Sequence, residues 1–183
     1  MLRTLAALAL LLTLSACDTT VIAPGDDDDG GGDPPGSDPA TVTLTIDWGR
    51  IFVIGDCEGP FPESNTGDFR FEVSGSSDLD GETRAFSVLN REFAVNSGDD
   101  VGVPGTNPTF SLMEGQSGSV TIDFSASESD PTGPDPDLNP SRNSQSHVFD
   151  GTRWSNLGDR TIRLGSGDDC RVELRYNASS ETS

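Results

Sequence analysis

Alternation governs what this chain can fold into. From Thr41 onward, apolar side chains return every second residue, and no stretch shows the spacing of an amphipathic helix. Val42, Leu44 and Ile46 alternate with threonine. Phe69, Phe71 and Val73 alternate with Arg, Glu and Ser; Val120, Ile122, Phe124 and Ala126 alternate with Thr, Asp and Ser. Val172, Leu174 and Tyr176 alternate with Glu and Arg. A period of two sends neighbouring side chains to opposite faces, so each run reads as a strand with one buried face. Weaker runs lie at 83–89, 91–95, 108–113 and 160–164. Ile51-Phe52-Val53-Ile54 is apolar on both faces and suits a central strand. Gly, Asp, Ser and Pro fill the gaps. The pattern predicts an all-β domain over 41–178, an antiparallel β-sandwich of about seven to nine strands, with 179–183 as a disordered tail. Trp48 falls at a strand end and Trp154 in a loop-rich stretch; both suit core or rim packing, and a solvent-facing tryptophan would suit sugar stacking.

The N-terminus belongs to a different class. Arg3 is followed by an apolar run from Leu5 to Leu14, then Ser15, Ala16 and Cys17. A membrane-spanning helix needs roughly 20 apolar residues, and this run is about half that. Leu14-Ser15-Ala16-Cys17 resembles the lipobox of bacterial lipoproteins. The resemblance implies a signal peptide at 1–16, cleavage before Cys17, and acylation of that cysteine with diacylglycerol and a fatty acid such as palmitate. More than one chain is needed for durable anchoring, because each buried methylene contributes only about 0.8 kcal/mol. The implied address is the bacterial cell envelope, on a membrane facing the periplasm or the exterior. Residues 18–40 then read as a disordered linker. They carry Asp26-Asp27-Asp28-Asp29, three consecutive glycines and Pro34-Pro35, and little that is apolar. A flexible chain of that length spans roughly 25 to 30 Å.

Charge narrows the partners. The chain has 31 acidic and 11 basic residues, and every basic one is arginine. Nucleic acid requires basic residues to replace counterions, so a nucleic-acid partner is not expected. The remaining expectation is the membrane, through the lipid, and an envelope protein or glycan. Of three cysteines, Cys17 is taken by lipid, which leaves Cys57 and Cys170 as a disulfide pair in an oxidising compartment.

Two connections are rich in acids. The first runs from Asp56 through Glu58 and Glu63 to Asp68; the second contains Glu128, Asp130, Asp135, Asp137 and Asn139 and runs on to about Ser146. Loops this long are usually functional or disordered. Calcium takes six to eight oxygen ligands, and two acidic loops meeting at one end of a sandwich would supply them. The strand-then-acidic-loop pattern resembles C2-like sandwiches. It lies in Ile54-Gly55-Asp56 with Gly67-Asp68-Phe69, and in Glu128-Ser129-Asp130 with Asp135-Pro136-Asp137. The resemblance implies Asp56, Asp68, Asp130, Asp135 and Asp137 as candidate calcium ligands.

Other chemistry lacks its signatures. Asp78-Leu79-Asp80-Gly81-Glu82 shares part of an EF-hand loop, but Ser87 stands where the bidentate glutamate belongs, so a polar hairpin turn fits better. There is no Gly-x-Ser-x-Gly elbow, phosphate loop or His-Glu-x-x-His, and sequence alone identifies no nucleophile to partner His147. No catalytic residue is assigned. The leading expectation is a non-catalytic, membrane-tethered binding or scaffolding domain, calcium-stabilised in its sharper form. A second reading is an accessory carbohydrate- or protein-binding module with Trp154 or Phe61 as its platform. A third is a hydrolase using carboxylates of the acidic loops.

Overall fold

Nine antiparallel strands build two sheets in a computed structural model that describes residues 38–55, 66–128, 141–165 and 170–183. They are β1 (Thr41–Gly55), β2 (Thr66–Leu79), β3 (Glu82–Asn96), β4 (Asp100–Gly102), β5 (Thr109–Met113), β6 (Gly118–Glu128), β7 (Ser141–Phe149), β8 (Gly158–Leu164) and β9 (Cys170–Thr182). The described residues contain no helix. One sheet has the order β4-β1-β9-β8, with β5 also paired to β1; the other has the order β3-β2-β6-β7. The two form an all-β sandwich, as the alternation predicts. Lipidation at Cys17, the signal segment and the linker up to Ser37 lie outside the described residues.

The strands are longer than the runs that announce them. Val42, Leu44, Ile46 and Trp48 face the core on even positions, whereas Ile51 and Val53 do so on odd ones. A bulge reconciles the two parities: pairing with β9 shifts between Trp48 and Ile51, so Gly49 and Arg50 together oppose Arg175. A Cβ on Gly49 would lie 2.5 Å from the Arg175 carbonyl oxygen, so this position requires glycine. Phe52 and Ile54 become half-buried on the outer face. β3 uses the same device. Its register against β2 shifts where Val73 meets Leu89 and Ser74 meets Ser87, which merges two weak runs into one strand.

Two expectations need correcting. Residues 179–183 are not a tail, because β9 continues to Thr182 and Ser179 pairs with Thr45. The second acidic connection stops at Ser141, not near Ser146, because β7 begins there. β7 is an edge strand on β6 and buries only His147 and Phe149, so its sequence carries almost no apolar signal. The 78–82 segment is a tight hairpin turn, as expected. Asp80 (φ 53°) and Gly81 (φ 82°) both adopt the left-handed conformation that a two-residue type I′ turn demands.

The core is shared by both sheets and is rich in phenylalanine. Phe69, Phe71 and Phe124 of one sheet are fully buried, as are Leu44, Ile46, Ile51 and Leu174 of the other. Gly75 lies opposite Phe86, whose ring covers it and reaches Phe110 of the other sheet at 5.7 Å between centroids. The first and last strands lie side by side. Thr41 N donates to Ser183 O at 3.0 Å, and Ser183 N donates to Thr41 O at 2.9 Å.

Candidate functional site

Strand pairing determines which connections share an end. Gly55 at the end of β1 opposes Cys170 at the start of β9. Thr66 at the start of β2 opposes Asn96 at the end of β3, and Phe69 opposes Glu128 at the end of β6. The turn after β3 ties the two sheets together here, with Gly98 N donating to Val53 O at 2.9 Å. The stems of the 56–65 and 129–140 connections therefore emerge at the same end of the sandwich. Asp56, Asp130, Asp135 and Asp137 lie outside the described residues, as does Cys57. Asp68 is described and exposed, beside Ala94 of β3.

Two other described acids at this end are engaged locally. Asp99 accepts from Asn96 N and Asn96 Nδ2, both at 2.9 Å, and these bonds hold its carboxyl below the usual range. Asp100 pairs with Arg50. Among the described residues no three metal-binding side chains form a cluster.

The opposite end carries a cleft of about 460 Å³ between the sheet edges. Phe86, Phe110 and Leu112 form its floor, and Asp80, Glu82, Arg84 and Gln116 its rim. Gln116 ties this rim together by donating to Asp80 at 3.0 Å and accepting from Met113 N at 2.7 Å.

Trp154 cannot serve as a sugar platform. It is 2 % exposed, packs on Phe149 at 5.3 Å, and donates its indole N–H to Val42 O at 3.3 Å. A strand bridge to Phe149 draws its loop back over the core, a long-range effect that local sequence does not signal. Phe61, the other platform candidate, lies outside the described residues.

Two polar groups that sequence reading left idle are built into the fold. His147 is fully buried. Its Nδ1 lies 3.2 Å from Ser155 O and its Nε2 lies 3.1 Å from the Tyr176 hydroxyl. A carbonyl oxygen can only accept, so Nδ1 carries the proton and Nε2 accepts from Tyr176. Burial, with help from nearby Arg160, lowers the His147 pKa against the opposing pull of the Ser155 and Asn156 carbonyls. Burial likewise raises that of Tyr176. The second group is Glu173, 2 % exposed on the outer side of β9. Burial alone would raise its pKa, but Arg175, Arg163 and Arg171 outweigh that and hold it low. The sequence signal was the Arg171-x-Glu173-x-Arg175 alternation, visible as an outward face but not as a cluster.

No family profile and no curated protein matches the chain. Among solved structures, it is similar to a C2 domain protein from Ramazzottius varieornatus. The identity is 14%, the match covers 77% of this chain and 89% of that one, and the TM-score is 0.31.

Proposed function

We propose that the chain is a lipid-anchored, non-catalytic protein of the bacterial envelope whose β-sandwich binds or scaffolds a partner, and that the end bearing the 56–65 and 129–140 connections does the binding. One observation supports this reading: β2 and β6 are neighbours, so the stems of the two acid-rich connections leave one end together. Carboxylates gathered there would repel one another unless solvent or a cation screens them. Calcium suits that chemistry, with Asp56, Asp68, Asp130, Asp135 and Asp137 as its ligands. β1 begins at the far end of the domain, beside the β2–β3 hairpin.

A Cys57–Cys170 disulfide belongs to the same reading. Cys170 is buried opposite Gly55, and Cys57 follows Gly55 by two residues. A bridge there would brace the acidic end.

Thermal unfolding of the mature, membrane-extracted protein tests the calcium site. At a hundred times its dissociation constant, a bound ion stabilises by about 2.7 kcal/mol, and Asp130→Asn with Asp135→Asn removes that gain. A melting temperature that millimolar calcium leaves unmoved relative to chelator would refute the site. Mass spectrometry of the same material separates out the anchor: the N-terminal peptide should begin at an acylated Cys17, and an unacylated start elsewhere would refute the tether.

A further inference from the structure

The outer face of β1, β9 and β8 gathers three arginines around one buried carboxylate in an acidic protein. Phe52, Glu173 and Arg163 form one lateral row across those strands, with Arg171 and Arg175 two residues to either side of Glu173 on the same face. All three arginines converge on one carboxylate. Arg163 Nε lies 3.0 Å from Glu173 Oε1, Arg171 Nε lies 3.1 Å from the same oxygen, and Arg175 Nη2 lies 2.7 Å from Oε2. Only the Arg175 contacts have hydrogen-bond alignment; those of Arg163 and Arg171 are ion pairs by proximity. Arg175 is also held over the Phe52 ring, 4.2 Å from its centroid.

One arginine would neutralise Glu173. Three leave two positive charges in excess (three minus one), close enough together to repel each other. The chain carries a net charge of −20, yet among the described residues no carboxylate besides Glu173 pairs with these three. The guanidinium groups converge on the buried carboxylate, Arg175 through two hydrogen bonds, while 64, 34 and 49% of the side-chain surfaces of Arg163, Arg171 and Arg175 face solvent. Convergent guanidinium forks with excess charge are the arrangement that recognises a tetrahedral oxyanion.

We propose that this cluster is an oxyanion site: a phosphate or sulfate dianion seats over Glu173 and is bridged by the outer N–H groups of Arg163, Arg171 and Arg175. The dianion balances the two excess charges. It comes either free or as a monoester on a partner molecule.

The test is a titration of the mature protein with inorganic phosphate and, separately, with glucose 6-phosphate, at constant ionic strength in chloride. The readout is the arginine Nε–Hε signals in the NMR spectrum. Saturable shifts confined to these three arginines are expected. Tighter binding of the ester assigns the site to a phosphorylated partner, and tighter binding of inorganic phosphate assigns it to the free anion. Arg163→Gln, at the most exposed of the three, should weaken binding about tenfold, the equivalent of one charge-assisted hydrogen bond. Arg163→Lys, which keeps the charge without the fork, should fall between. Backbone amide spectra confirm that both variants fold. Shifts no larger than in the chloride control, or equal affinity in the wild type and Arg163→Gln, would overturn the proposal.

Discussion

Removing one oxygen from the core, in Tyr176→Phe, isolates a single hydrogen bond. Tyr176 is 3 % exposed, and its ring packs on Trp48 at 6.0 Å and edge-on to His147 at 5.9 Å. Phenylalanine keeps those contacts and loses only the hydroxyl. His147 Nε2 then becomes a fully buried acceptor with no donor, since its other ring nitrogen is committed to Ser155 O. Leaving such a group unsatisfied costs about 1 to 3 kcal/mol. For a domain of this size that lowers the melting temperature by roughly 3 to 10 °C. The companion His147→Phe strands the hydroxyl instead and should cost a similar amount. The double variant should cost less than the sum of the two, because replacing both partners by apolar rings leaves nothing unpaired between them. Urea unfolding at pH 7.5 of the wild type, both single variants and the double variant gives the coupling. Tyr176→Phe within about 0.5 kcal/mol of wild type, or strictly additive effects, would refute the assigned tautomer and the bond built on it.

Three further outcomes are expected. Burial lowers the His147 pKa in the fold while an unfolded histidine titrates near 6.5, so below that pH the unfolded state takes up more proton than the folded one. Stability should be complete above pH 6.5 and fall on acidification with a slope of at most about 1.4 kcal/mol per pH unit; a slope in this window that persists in His147→Asn would show that another group is responsible. Gly75→Ala should destabilise by about 1 to 3 kcal/mol, because the new Cβ would sit 2.3 Å from Thr121 O and 2.4 Å from the Phe86 ring; a melting temperature equal to wild type would contradict that packing. Peptide mapping without reductant should recover Cys57 joined to Cys170, and reduction should cost roughly 4 to 5 kcal/mol for a loop of about a hundred residues; two free thiols in the purified protein would end that assignment.

How far the fold could be read depended on where each strand hides its apolar side. β2 and β6 are central, bury one face completely and alternate cleanly, so their cores at 69–73 and 120–126 were plain from residue types. β1 was legible only as two pieces, because the Gly49–Arg50 bulge switches the buried parity partway along. Most of β7 is indistinguishable from loop by residue type, since an edge strand that buries two side chains in nine has little to display. The acidic candidates were legible as composition, and of them Asp68 alone falls among the described residues. The arginine cluster was not foreseen. Its members sit on two strands, and the register that brings Arg163 opposite Glu173 is a property of pairing rather than of local sequence.

The mutual hydrogen bonds of Thr41 and Ser183 have a mechanical consequence. β1 and β9 run antiparallel, so their outer ends meet at one edge of the same ladder. Tension applied between those two ends would open the ladder one pair at a time, beginning with Thr41 and Ser183, as a zipper opens. Tension from Thr41 to the acidic end would instead load the whole β1–β9 ladder in shear, where many bonds must fail at once. The domain is therefore weak along one pulling axis and strong along the other, and a single-molecule experiment with handles at 41 and 183, or at 41 and 171, would register the two as distinct rupture forces.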